Sequence, residues 1–563
     1  MSVLAHPSIK LAEKYRQEEE ERTKRQIEEL GESGLKEKGE ELQKALDSQV
    51  LPGDSILTKI PLGNVSQIQF RDFNSFNRTL NPGGLFNFSG IPFKLHIDNV
   101  NSKFVQMYLY LETSDLTVRQ KKLLPLLLDV WMSAPLLKDG RVADIGEVIK
   151  RVNKVLLKMS ISQGHSYVVI GVQAELGKLE KGLQFLHDRF YFSHFTMKEL
   201  NTTINNRLNY KKPSATSILS SLFDGLYYNN SSSDHYTDHI KQKRFLEALR
   251  EEVKVDVDSV ISEVHQLIKL LVQPERSFLH MAGKAEQLVA TYGSNLAPLQ
   301  SIFNTSVEPL QSNKELSTRF EVTPESGYRR KELNKGGASL RHVAMGVDST
   351  ESCYLSQAIL YNNTNWMAEE VPAVRVLLRY MSDRLYHEVR GKGLTYSIAM
   401  YLSVSTGRLG LKLSKSSQLV EAYNVTRQLL AGYVDNTTSF DPTLVESAKG
   451  ALIYSWAEKE ETVIGLVKEA ARAYTRRTDS KYNRAFTRSL ADVQAKDLAV
   501  AAKKLLPLFL SPSTTLTSVV CNKGSFEEVV EELSKFGYKF KTYKELEDTF
   551  LATEDSDEEN PRL

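Results

Sequence analysis

The sequence predicts an α+β fold of two tandem α/β units, a duplicated domain, preceded by a charged helical hairpin. Three observations carry this. Residues 8–49 combine strong helix formers with dense charge. Clean two-residue alternation marks strands, as where Val105, Met107, Leu109 and Leu111 face one way and Gln106, Tyr108 and Tyr110 the other. A strand–helix order then recurs around Phe195 and Phe440, 245 positions apart, with different sequence but the same punctuation.

The hairpin is read from Glu18 with Arg22, Glu20 with Lys24 and Glu21 with Arg25, acid before base one turn apart. Gly31 fits the end of a first helix, and Ser33 the cap of a second reaching about Leu46. Leu11, Tyr15, Ile27 and Leu30 are too widely spaced for a coiled-coil seam. In the first unit, the strand at 105–111 leads to a helix capped by Asp115 that carries Leu123, Leu127 and Trp131. A strand over Ser166–Ala174, a helix over Leu176–Phe190 and a helix opened by the capping box Thr196/Glu199 follow. The second unit repeats the order, with a strand over Leu409–Leu413 and a helix over Gln418–Tyr433. The next helix there opens with Asp441 as cap and Pro442 at its first position. The expected boundaries are 1–53 for the hairpin, 54–305 and 316–545 for the units, and 546–563 for an acidic, disordered tail typified by Glu554–Asn560.

Composition narrows the function classes. A chain of 563 residues is long enough for several cores, since one core rarely exceeds about 250–300 residues. Its 72 Lys and Arg nearly cancel 70 Asp and Glu, so no field of one sign recommends nucleic acid as a partner. No apolar run is long enough to span a bilayer, and no secretory signal is visible, so no membrane partner is expected. Cys353 and Cys521 are far apart in sequence and make no disulfide framework, which fits a reducing compartment. Asn81-Pro-Gly-Gly and Asn334-Lys-Gly-Gly lack the Lys-Ser/Thr of a phosphate loop and read as turns.

The histidines are equally telling. None of the eleven begins H-x-x-E-H or H-E-x-x-H. The nearest approach is His235-Tyr-Thr-Asp238-His239, where an aspartate would be a methylene shorter than the glutamate base. Its flank, Asn229–Asp234, reads as a solvated loop before an exposed helix start, so no metal ligand is assigned in this chain.

The segment Arg390-Gly-Lys-Gly393-Leu-Thr-Tyr396 lies between an expected helix (Val371–Val389) and an expected strand (Thr395–Ser403). Its two glycines allow a turn, and its arginine and tyrosine put strong donors at one sheet end. This R-x-x-G-x-x-Y segment, with the duplicated pattern, resembles the C-terminal half of pitrilysin-type zinc metallopeptidases of the presequence-protease branch. The chain departs from the usual form at Leu394, Thr395 and Ser397, where small residues are usual.

The resemblance implies pitrilysin/processing-peptidase-like units three and four of a four-unit enzyme, with the hairpin joining the halves. It further implies a role in degrading unfolded peptides within a closed chamber, with Arg390, Gly393 and Tyr396 as substrate-binding residues. The catalytic zinc is then expected in a partner N-terminal half. The alternative within the same fold is a catalytically silent structural or substrate-holding subunit. The cytoplasm is the expected compartment, with the mitochondrial matrix as the alternative.

Overall fold

The computed structural model describes residues 9–48, 65–131, 133–209, 213–303, 325–334 and 340–553. A long helical segment, Ile9–Asp47, leaves helical geometry at Gly31, whose φ is 61° and ψ −179°. Leu11, Tyr15, Ile27, Leu30, Leu35 and Leu42 along it are all at least 40% exposed.

The first sheet contains β1 (Ser75–Phe76), β2 (Lys94–Asn99) and β3 (Phe104–Glu112). A small hairpin of β4 (Leu136–Lys138) and β5 (Arg141–Ala143) stands apart from it. The sheet continues with β6 (Leu156–Gln163), β7 (Tyr167–Glu175) and β8 (Ser277–Gly283), in the spatial order β1-β2-β8-β3-β7-β6. The second sheet is built from β9 (His342–Val347), β10 (Cys353–Leu360), β11 (Thr395–Ser403), β12 (Arg408–Ser416), β13 (Thr515–Asn522) and β14 (Lys541–Tyr543). Its order, read from the matching edge, is β14-β9-β13-β10-β12-β11. The pairs β2 with β8 and β9 with β13 are parallel, and in each sheet the three pairs beyond them are antiparallel. Only the outermost short strand differs: β1 precedes β2 and runs against it, whereas β14 comes late in the chain and runs with β9.

One face of each sheet is covered by its own helices. Val105, Met107, Leu109 and Leu111 of β3 pack with Leu123, Leu127 and Trp131 of the Val118–Trp131 helix. Leu409, Leu411 and Leu413 of β12 pack with Val374, Leu377 and Met381 of the Glu370–Leu385 helix. Phe195 and Phe440 occupy equivalent places, each just before a capped helix. Thr196 and Glu199 close a capping box on Met197–Leu208. Asp441 accepts from the amides of Thr443 and Leu444 at 2.7 and 3.3 Å to open Pro442–Glu458.

The opposite faces are covered by exchange. The Ala215–Tyr227 helix of the first unit lays Leu219, Leu222 and Leu226 on Val343, Met345 and Val520 of the second sheet. Reciprocally, Leu466, Val467 and Ala470 of the Val463–Arg476 helix cover Val100 and Ala282 of the first. Each such fully buried leucine or valine contributes about 1.5–3 kcal/mol, so the two units hold one another shut. Polar ties reinforce the contact: Tyr227 Oη donates to Thr406 O at 2.7 Å, and Arg408 pairs with Asp224 at 3.2 Å.

Several expectations change. The cap of the Val118–Trp131 helix is supplied by Thr117, whose Oγ1 accepts from Gln120 N at 3.3 Å; Asp115 instead pairs with Arg276. Residues 229–234 are no solvated loop, since Ser232 and Ser233 are wholly buried. Residues 546–553, assigned to the tail, are packed: Phe550 and Leu551 are buried against the Ala215–Tyr227 helix, and 554–563 lie outside the described residues. The distant cysteines are neighbours, because Tyr354 pairs with Val520 and so sets Cys353 beside Cys521; both are buried and free. Their mutual hydrogen bond holds the Cys353 thiol down to about 7 and pushes that of Cys521 well up. Pro82–Gly84 is a turn, as expected, while the Asn334-Lys-Gly-Gly turn falls mostly outside the described residues. Among the described residues, no helix is long and apolar enough to cross a membrane.

Candidate functional site

The Glu370–Leu385 helix does not stop at its last ordinary turn. It continues through a π-helical turn, Tyr386–Arg390, in which Gly391 N reaches Tyr386 O at 3.0 Å. Widened turns of this kind re-aim side chains near a helix end. Here the effect is to bring Arg390 to the outermost strand of the second sheet. Gly391 keeps helical angles (φ −56°, ψ −32°), so the reversal falls on Gly393, at φ +73°. A Cβ at Gly393 would meet nothing within 4 Å, which makes the backbone angle its whole requirement. Gly393 N and Leu394 N then bond Arg390 O and Val389 O, and the chain enters β11.

On β11, Tyr396 turns back over the helix end. The Arg390 guanidinium carbon lies 4.9 Å from the ring centres of both Tyr386 and Tyr396, so the cation is held between two aromatic faces. Lys415 approaches the Tyr396 ring from β12, with its Nζ 5.4 Å from the ring centre. A bulge puts it there. Cys353 pairs with Ser416 but Leu355 with Leu413, and Lys415 takes φ +53°. Tyr396 is 62% exposed and Arg390 half-buried. Among the described residues, neither the guanidinium nor the Tyr396 hydroxyl has a hydrogen-bond or ion-pair partner; the nearby Glu388 is taken by Arg384 and Lys392. The aromatic sandwich fixes the arginine while its five N–H donors stay available.

The structure thus brings Arg390, Gly393 and Tyr396 together in one turn. The side-chain contacts of Arg390 and Tyr396 are all with the second unit, at the free edge of β11, rather than with a wall between the units. The cavities between units are lined by other residues. One of about 570 Å³ has His165, Asp224, His235 and Arg408 in its walls.

The H-x-x-D-H segment is disassembled by the fold. His235 sits in a one-turn 3₁₀ segment, Asp238 caps the next helix, and His239 is that helix's first residue, facing a different cavity. Lys241 Nζ touches His235 Nε2, and burial together with that cation lowers the imidazole pKa to about 2. A nitrogen already facing an ammonium group is no cation ligand.

Sequence reasoning missed a third cluster. His96 and Asp98, two apart on β2, face His280 on the parallel neighbour β8. The available signal was the H-x-D spacing, which puts both side chains on one strand face, together with a histidine inside the apolar run Ser277–Gly283.

No family model matches the chain. Curated relatives include uncharacterized proteins of Caenorhabditis elegans, Schizosaccharomyces pombe and Saccharomyces cerevisiae. They are 21%, 21% and 20% identical over 94%, 96% and 83% of this chain. The matches cover 53%, 54% and 46% of those proteins, so the chain spans about half the length of the relatives it matches. Among solved structures, a protease from Helicobacter pylori superposes with a TM-score of 0.57 at 10% identity, covering 77% of this chain and 98% of that one. The periplasmic protease PqqL of Escherichia coli gives 0.56 at 13% identity, over 84% of this chain and 48% of PqqL. The inactive domain of an M16 peptidase from Pseudomonas fluorescens gives 0.58 at 12% identity, over 80% and 98%. The two-sheet, exchanged-helix architecture of this chain is therefore the fold of the M16, pitrilysin-like peptidases.

Proposed function

We infer that this chain is the non-zinc half of a pitrilysin-type metalloendopeptidase of the presequence-protease branch, which degrades unfolded peptides in a chamber closed with a zinc-bearing half. The carrying observation is the Arg390–Tyr396 pair: a stacked guanidinium beside a phenol, both without a hydrogen-bond or ion-pair partner among the described residues, at an exposed sheet edge. When a zinc-activated water attacks a peptide carbonyl, negative charge gathers on the carbonyl oxygen. Donors already aimed there lower the barrier, typically by about 3 kcal/mol each. In this reading Tyr396 donates to that oxygen, Arg390 holds the adjoining substrate backbone, and Gly393 sets the turn that keeps both in place. The zinc belongs to the partner half, and none is assigned to peptide hydrolysis here.

The half-length match to the curated relatives supports a further, zinc-bearing half outside these 563 residues, in the same or a separate chain. The presence of an inactive M16 domain among the structural neighbours favours a second reading, that of a silent substrate-holding subunit. Reconstitution separates the two. The chain is co-expressed with an M16-type zinc-bearing half, sought first in the reading frame upstream of Met1, and assayed on a quenched fluorescent unfolded peptide. Cleavage that needs both halves supports the protease reading. Tight peptide binding with no cleavage in any such assembly supports the silent subunit.

A further inference from the structure

The inter-unit face of the first sheet brings three metal-ligating side chains to one point. His96 Nε2 lies 2.9 Å from Asp98 Oδ1, and His280 Nε2 lies 2.7 Å from Asp98 Oδ2. One ligand atom from each of the three lies within 4.8 Å of the other two. They come from adjacent strands in register, His96 directly opposite His280, so the sheet itself fixes their spacing. Asp98 and His280 are each only 1% exposed, whereas His96 opens onto a cavity of about 400 Å³. Tyr474, Thr478 and Asp479 of the second unit form part of the far wall of that cavity.

A carboxylate this deeply buried must be hydrogen-bonded, paired or metal-bound. Ser75 Oγ also donates to Asp98 Oδ1, at 2.7 Å, and steadies the carboxylate from the edge strand β1. His280 Nδ1 is buried with no hydrogen-bond partner among the described residues; because Nε2 is the nitrogen turned to Asp98, Nδ1 points away from the cluster and is no ligand of it. Lys94, two residues before His96, is turned to Tyr474, its Nζ donating to the hydroxyl at 2.7 Å.

We propose that His96, Asp98 and His280 bind one divalent transition-metal ion, with zinc as the type ion, and leave a coordination position open to the cavity between the units. Two imidazoles and one carboxylate suit zinc-class ions, whereas calcium and magnesium prefer oxygen-only shells. Metal–ligand bonds of about 2.0–2.2 Å in a tetrahedral shell set ligand atoms about 3.3–3.5 Å apart. The two histidine–aspartate contacts, made to different carboxylate oxygens, are each shorter than that by about half an ångström or a little more, and the third pair of ligand atoms lies within 4.8 Å, so metal binding requires side-chain rotation at all three residues. The site lies on the first unit and shares no residue with the Arg390–Tyr396 turn, so it stands or falls separately from the proteolytic reading.

The test is titration of the metal-stripped chain with zinc chloride by calorimetry, with cobalt(II) as a spectroscopic probe. The site predicts one equivalent of zinc per chain and cobalt d–d absorption that zinc displaces. Loss of an outer-shell partner alone typically weakens a metal site 10–100-fold, so His96→Gln, which removes a ligand, should weaken zinc binding by about 100-fold or more. His239→Gln, outside the cluster, should leave it unchanged. His96 is the partly open member, so this variant is expected to keep the wild-type circular dichroism and decides the matter even if His280→Ala does not fold. Absence of zinc binding by the wild-type chain, or equal binding by folded His96→Gln, would overturn the proposal.

Discussion

Alanine at Gly391 and at Gly393 should have opposite effects, although the two glycines are two residues apart in one turn. At Gly393, φ is +73° and an added Cβ meets nothing within 4 Å, so the cost is backbone conformation alone. The left-handed region costs an L-residue about 1–2 kcal/mol. Loss of unfolded-state freedom returns about 0.4–1 kcal/mol, leaving Gly393→Ala destabilised by about 1 kcal/mol. At Gly391 the angles are helical, so alanine carries no backbone strain and gains about 0.5–1 kcal/mol. The two variants should therefore differ by about 1.5–2 kcal/mol. Urea unfolding followed by tryptophan emission measures this, because Trp366 and Trp456 report on the second unit and only Trp131 on the first. The variants are compared at equal slope by their midpoints. Equal stabilities would refute the assignment of the reversal to Gly393. A loss beyond about 3 kcal/mol there would refute the open space around it.

Other outcomes follow from the same geometry. Gly465→Ala should lower stability by about 1–3 kcal/mol despite alanine's helix preference, since its Cβ would fall 2.3 Å from Lys459 O at the start of the helix that covers the first sheet; thermal melts check it. His342 is 6% exposed, and burial lowers its pKa to about 4, against a partial offset from its bond to Pro512 O. Between pH 6.5 and 4 the unfolded chain therefore binds a proton that the folded chain refuses. Stability is retained above pH 6.5 and falls as pH drops through that window, by at most about 3 kcal/mol. His342→Gln should flatten that part of the stability–pH curve measured by urea titration.

Much of the second unit's functional turn was legible, because its signals are local. A cap, a proline at the first helical position and an R-x-x-G-x-x-Y spacing each act within a few residues, and Asp441, Pro442 and Gly393 behave accordingly. The capping box at Thr196 was readable for the same reason. What escaped was long-range. β2 is a short polar–apolar alternation and β8, β9 and β13 are short, largely apolar runs, and each is settled as a strand by a partner 180 or so residues away, as His96 is by His280. The exchange of covering helices also left no local mark, so residues 546–553 looked polar enough for solvent, yet Phe550 and Leu551 are buried by the other unit; Ser232 and Ser233 are buried by Thr113 and His165 of their own unit, 120 and 67 residues away. The π-helical turn at Tyr386–Arg390 was likewise hidden, since its apolar spacing matches an ordinary helix.

The proposed proteolytic role rests on Arg390 and Tyr396 acting on the transition state of peptide cleavage. Its most direct test is steady-state kinetics of the reassembled two-half enzyme on an unfolded peptide. Tyr396→Phe removes one hydroxyl that has no partner among the described residues and should leave the fold intact. The expected result is a fall in kcat of roughly 10²–10³ with little change in KM, because the bond matters mainly in the transition state. Arg390→Lys, which keeps the charge but loses the planar fork held between two tyrosines, should also be impaired. Wild-type turnover by both variants would contradict the claim and leave the pair as a helix end stacked on a strand tyrosine.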